Sequence, residues 1–116
     1  VVRRRLILLD DRPVELADSW YPPSIADGTA LSRPEKIKGG AVTLLAELGH
    51  VVHDVHEDVS ARRATGAEAE LLGVEEGAPL LTLLRVTLDA DGVPFEVTDM
   101  AMLPEGRALS YQLKVG

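Results

Sequence analysis

The side chains best suited to hold a small molecule fall into four groups. Arg3, Arg4 and Arg5 stand in a row near the start of the chain, and a guanidinium grips a carboxylate or phosphate through paired hydrogen bonds. Arg5 could equally pair with an acidic neighbour across a sheet. Glu15 and Glu96 lie in two segments that nearly repeat each other, "PVELADSW" from Pro13 and "PFEVTDMA" from Pro94. Gly39 and Gly40 precede an apolar stretch; the bare amides and dipole of a helix starting there could receive an anion, or the pair could be a plain flexible turn. His50, His53 and His56, with Asp54, Glu57 and Asp58 among them, invite a metal reading. Their spacing scatters them over both faces of a strand, so no metal is expected. Trp20 and Tyr21, beside Pro22 and Pro23, read as core and turn packing, because one Trp, two Tyr and one Phe make the chain poor in aromatics. No Ser-His-Asp, Cys-His or metal constellation for catalysis is visible.

The elements that must position these groups follow from the repeat. Val1 to Leu9 is apolar and basic with β-branched residues, Asp10 and Asp11 make a two-residue turn, and Arg12 to Tyr21 alternates as a returning strand. Leu80 to Leu88, a turn at Asp89 to Gly92, and Val93 to Leu103 make a second hairpin. Aligning Arg5 with Arg85 and Pro13 with Pro94 requires one extra residue in the second turn, so the copies share register. They are expected in one sheet, related by a pseudo-twofold. Between them, Ala41, Leu44, Leu45 and Leu48 share a helical face that stops at Gly49. Thr65 and Glu68 form a capping box before Leu71, Leu72 and a terminating Gly73. "HVVHDVHEDVSAR" alternates as a half-buried strand, and Ser110 to Val115 could supply a final one. This order implies an α+β fold, a mainly antiparallel sheet with short helices against it.

The bounds agree. At 116 residues with 46% hydrophobic residues the chain is one compact domain, residues 1–116. It has no cysteine, which suits a reducing cytoplasm and excludes disulfides and thiolate metal sites. No apolar run is long enough to span a membrane, and the basic start lacks a signal-peptide cleavage site. The net charge of −7 repels a polyanion, so this segment is a poor nucleic-acid binder in its own right. The second hairpin is preceded by a helix and a Gly-Ala-Pro entry, whereas nothing comes before the first. Symmetry therefore implies that an equivalent helix precedes Val1, and that the chain is cut at its amino end.

Four segments in order, "RRRLILLDDRPVELADSWYP", "IADGTAL", "GGAVTLLAELG" and "ARRATGAEAELLGVEEGAPLLTLLRVTLDADGVPFEV", resemble the UTRA ligand-sensing domain of GntR-type bacterial transcription regulators, HutC subfamily. The resemblance covers essentially the whole chain, internal duplication included. It implies a chorismate-lyase-like fold, a pocket for a small-molecule effector, no cofactor, dimerisation, and an upstream winged helix-turn-helix domain that carries the DNA binding.

The resemblance also marks pocket positions. Members similar to amino-sugar-phosphate sensors read Arg-x-Arg in the first strand, with Glu four residues after the Pro of the returning strand; here Arg5 matches the first arginine, but Ile7 and Ala17 stand at the other two places. A Ser-x-Tyr opening the middle helix is Gly39 and Ala41, and a Tyr six residues after the second-hairpin glutamate is Met102. Arg5 and Glu96 alone keep their polar character, so the pocket is expected to be shared and the ligand not. The expected effector is small, anionic or zwitterionic, held between Arg5 and Glu96 against an apolar wall of Ile7, Ala17 and Met102. A lyase acting on chorismate, by analogy of fold, and a domain that only dimerises are the alternatives to a non-catalytic sensor.

Overall fold

The computed structural model describes residues 1–115. Strands β1 (Val2–Leu9) and β2 (Arg12–Trp20) form the first hairpin, and β4 (Pro79–Leu88) and β5 (Pro94–Met102) the second. Between them lie α1 (Pro23–Ala26), a one-turn 3-10 helix (Ala30–Ser32), α2 (Gly40–Glu47), β3 (Asp54–Arg63) and α3 (Gly66–Leu72). The five strands make one antiparallel sheet in the order β1-β2-β5-β4-β3.

The repeat is realised in the hydrogen-bond register. Arg5 faces Ala17 in the first hairpin, and Arg85 faces Thr98 at the corresponding place in the second. Each hairpin carries a bulge just after its proline: Ile7 and Leu8 pair with Glu15 and Pro13, skipping Val14, while Thr87 and Leu88 pair with Glu96 and Pro94, skipping Phe95. The two hairpins meet along β2 and β5 with Asp18 opposite Asp99, and these aspartates are the same repeat position. The pseudo-twofold therefore passes between them. The first turn takes Asp10 and Asp11 through positive φ, 52° and 64°, the twist that a two-residue hairpin loop requires. The second turn places Gly92 at φ 75° and closes with the Asp89 amide on the Val93 carbonyl at 2.9 Å.

Strand alternation divides the side chains between two faces. One face carries Arg3, Arg5, Ile7, Glu15, Ala17, Ser19 and Tyr21, together with Glu96, Thr98 and Met102 from β5; the other carries Leu16, Asp18, Asp99 and Ala101. Helix α3 covers part of the second face, where Ala69 and Leu72 join Ala64, Leu80, Ala101 and Leu16 in one apolar cluster. Its start is the expected capping box: Thr65 Oγ1 accepts from the Glu68 amide at 3.2 Å, and the Glu68 carboxylate accepts from the Thr65 amide at 3.0 Å. Gly73 ends it in the left-handed region. A second cluster, Tyr21, Ala26, Leu31, Leu45 and Phe95, joins α1, the 3-10 turn and α2 to the end of the hairpins.

Two expectations are corrected. The strand read from His50 begins at Asp54 and is almost wholly exposed rather than half-buried, because β4 is its one substantial neighbour among the described elements and no helix covers it. Ser110 to Val115 is not a strand. Two short helical turns, Pro23–Ala26 and Ala30–Ser32, lie between β2 and α2. Proline opens the first, and Thr29 caps the second through its side chain.

Candidate functional site

Beside β1 lies a cavity of about 990 Å³, walled by the sheet face on one side and by the segment from Leu31 to Ala41 on the other. Small-molecule sites usually occupy roughly 300 to 1,000 Å³. Strand alternation puts Arg3, Arg5 and Ile7 along this face, with Ser19 of β2 and Tyr21 just past its end behind them. Among the lining residues are Arg3, Arg5, Arg33 and Lys36, and none of the chain's nineteen acidic residues; Arg4 also borders the cavity, but its side chain lies on the opposite face, 3.8 Å from Asp18. In a protein of net charge −7 the cavity is a local reversal of sign.

The arginines divide their work. Arg3 donates through Nη1 to the Ala30 carbonyl at 3.1 Å and to the Arg33 carbonyl, and through Nη2 to the Glu35 carbonyl at 2.9 Å. Arg5 is exposed, and its guanidinium meets no acceptor among the described residues. Its counterpart in the repeat, Arg85, is held by Glu57 of β3, at 2.8 Å from Nε and 2.7 Å from Nη2. No strand flanks β1 on its outer side among the described residues, which leaves Arg5 available.

A buried polar network backs the cavity. The Tyr21 hydroxyl donates to Glu96 Oε2 at 2.7 Å, the Thr87 hydroxyl lies 3.4 Å from Glu96 Oε1, and Ser19 and Thr98 join across the two hairpins at 3.0 Å. Burial, then the bond to the Glu96 carboxylate, raises the Tyr21 hydroxyl well above its ordinary value, so it stays protonated and donating. Glu15, the repeat counterpart of Glu96, is instead paired with Arg107 at 2.7 Å.

The residues expected at the site separate into two layers. Arg5, Ile7, Gly39 and Ala41 line the cavity. Glu96 stands behind it, one hydrogen bond away through Tyr21. Ala17 and Met102 are 1% and 2% exposed, and neither reaches the lining. Gly39 and Gly40 both adopt positive φ, 80° and 85°, so the turn into α2 is one that glycine makes without strain. No side chain caps α2; the Gly40 amide is taken by the Ile37 carbonyl at 3.0 Å, and the amides that follow it start at the cavity end that Gly39, Gly40 and Ala41 line. Sequence reasoning missed Arg3, Ser19, Arg33 and Lys36, and took Tyr21 for packing alone. Alternation with Arg5 is the one signal that marks Arg3 as a neighbour on the same face. The histidines are dispersed: His50 stacks near Phe95 with ring centroids 5.7 Å apart, and His53 contacts Asp54.

Residues 1–105 match the model of the UTRA domain. The chain belongs to the UTRA domain family. It is 28% identical, over 97% of its length, to an uncharacterised HTH-type transcriptional regulator of Streptomyces coelicolor, of which it spans only 43%. Among solved structures it is similar to the ligand-binding domain of a protein described as a GntR-family transcriptional regulator from Bordetella bronchiseptica, at 28% identity and TM-score 0.84, covering 96% of this chain and 70% of that one. A protein from S. coelicolor described as a transcriptional regulator is 32% identical with TM-score 0.82, covering 97% and 73%. The antiparallel sheet with few short helices is the chorismate-lyase-like fold of such UTRA domains, and the relatives are domains of transcriptional regulators. No described helix is long and apolar enough to cross a membrane.

Proposed function

We propose that this UTRA domain is the non-catalytic effector sensor of a dimeric, cytoplasmic GntR-type regulator of the HutC subfamily, and that its effector is a small anionic metabolite. The observation that carries the reading is the cavity's charge: four basic side chains, no acidic one, and an Arg5 with no acceptor among the described residues. Arg5 grips a carboxylate or phosphate; the amides at the start of α2 take a second anionic oxygen; Ile7, Leu31 and Ile37 meet the apolar part. Glu96 acts through Tyr21, fixing the back wall, and becomes a direct contact only for a zwitterion whose donor displaces the Tyr21 hydroxyl.

DNA binding belongs to a winged helix-turn-helix domain upstream of Val1. The remainder of the sensing domain belongs there as well. Trp20 and Val97 occupy the repeat positions of Ala101 and Leu16, the residues that α3 covers, yet Trp20 is 40% exposed, and Leu84 on the same face is 39% exposed. An upstream helix equivalent to α3 covers that half of the sheet. Effector binding then alters the relation between the two subunits and the spacing of their DNA-reading domains.

Thermal-shift screening with matched anionic, neutral and cationic metabolites tests this reading. Stabilisation confined to anions and abolished by Arg5→Ala is the expected result. Stabilisation by cations alone, or turnover of chorismate, would refute it.

A further inference from the structure

The cavity's outer wall has an unusual support. Leu31, 1% exposed, and Ile37, packed on the same apolar cluster, anchor the two ends of the segment 32–36. Ser32 and Arg33 still belong to the 3-10 turn through their amides, bonded to the Thr29 and Ala30 carbonyls at 3.2 Å each. Beyond Arg33 no backbone bond among the described residues ties Pro34, Glu35 or Lys36 to the rest of the protein. What ties this stretch to the sheet is one side chain: the Arg3 guanidinium, whose fork collects the Ala30, Arg33 and Glu35 carbonyls. Arg33 and Lys36, two of the basic residues that line the cavity, are on the stretch so held.

We propose that Arg3 is a positioning residue that fixes the 32–36 segment as the cavity's basic wall, and thereby couples occupation of the cavity to strand β1. A planar guanidinium suits this task, because its five donors diverge in a fixed fork and can serve several carbonyls at once. Arg3 and Arg5 project from the same face of β1 but have opposite duties, one saturated by carbonyls and the other open. An anion seated on Arg5 that also reaches Arg33 or Lys36 draws on the wall, and the pull arrives at β1 through Arg3. The coupling rests on the anion-sensor reading; the hold on the wall does not.

Trypsin provides a direct readout, since Lys36 and Lys38 lie on this wall or just beyond it. The 116-residue chain and its Arg3→Ala, Arg3→Lys and Arg5→Ala variants are digested with and without inorganic phosphate, cleavage after Lys36 and Lys38 is timed by mass spectrometry, and phosphate affinity is measured by amide NMR titration. Without phosphate, Arg3→Ala is cut there about tenfold faster than wild type, as expected when a locally ordered segment loses its hydrogen bonds. Arg3→Lys falls in between and serves in place of Arg3→Ala if the latter does not fold. Arg5→Ala is cut at the wild-type rate yet loses phosphate binding, whereas Arg3→Ala shows weakened phosphate binding together with fast cleavage. Wild-type cleavage rates in both Arg3 variants would overturn the hold. Fast cleavage with undiminished phosphate affinity would overturn the coupling. Failure of wild type to bind any phosphate removes the anion reading and the coupling with it, while the cleavage rates still decide whether Arg3 holds the wall.

Discussion

Replacing Tyr21 by Phe removes one oxygen from a place where its loss is measurable. The ring is 4% exposed in the cluster with Ala26, Leu31, Leu45 and Phe95, and phenylalanine keeps that packing. What goes is the 2.7 Å hydrogen bond to Glu96 Oε2, leaving the half-buried carboxylate with the Thr87 hydroxyl at 3.4 Å. A hydrogen bond to a charged group contributes about 1.5 to 3 kcal/mol, and the partial exposure of Glu96 favours the lower figure. For a domain near 100 residues each kcal/mol moves the thermal midpoint about 4–8 °C, so 1.5 kcal/mol corresponds to roughly 6–12 °C. The pH dependence has a definite sign. Because the folded Tyr21 hydroxyl is raised above its ordinary value of 10.0 by burial and by Glu96, its contribution is fully present below pH 10 and is lost as pH rises beyond it. Urea unfolding from pH 7 to pH 11 should show the gap between wild type and Tyr21→Phe closing at the alkaline end. Tyr111 is present in both proteins and cancels. Equal stability at pH 7, or a gap that does not close, would refute the assignment of Tyr21 as the donor that holds Glu96.

Thr65→Ala removes one half of the capping box and should cost about 1 kcal/mol, read as a shift in the urea midpoint with an unchanged slope. Glu68 is held down to about 2, first by Arg62, whose Nη2 lies 2.6 Å from it, and also by the Thr65 amide. Its contribution is present above its ordinary value of 4.5 and is lost as pH falls toward 2, so the stability difference between wild type and Glu68→Gln should vanish in acid titration over that range. The isolated chain, at net charge −7, should give no sequence-specific shift of duplex DNA at physiological salt; a band that survives competitor DNA would contradict this.

The duplicated hairpins were legible because a repeat constrains register twice. The equal offsets from Pro13 and Pro94 predict that Arg5 and Arg85 take equivalent partners, and the sheet pairs them with Ala17 and Thr98, each four residues after its proline; the bulges that set those partners were not legible, since a two-residue turn alone would pair Arg5 with Leu16. The capping box was legible for a similar reason: Thr65 and Glu68 need only each other. Strand β3 misled because alternation marks a strand but not whether anything packs over it, and no helix covers either face of β3 among the described elements. The apolar residues of Ser110 to Val115 have the composition of a strand without a ladder to join. At the site, family likeness located Arg5, Ile7, Gly39 and Ala41 on the lining, while Ala17 and Met102 lie beneath it. Arg3 stayed hidden because its partners are backbone carbonyls 27 to 32 residues away, which no side-chain pattern records.

The central claim is that Arg5 receives an anionic effector without serving the fold. Isothermal titration of wild type and Arg5→Ala with the anion selected by the thermal-shift screen tests it most directly, with unfolding midpoints measured alongside. Loss of one charge-assisted hydrogen-bonded contact, about 1.5 to 3 kcal/mol, predicts affinity weakened roughly ten- to a hundredfold. The unfolding midpoint should hardly change, because the exposed side chain has no partner to lose among the described residues. Undiminished affinity in Arg5→Ala, or a fall in stability that matches the fall in binding, would contradict the account.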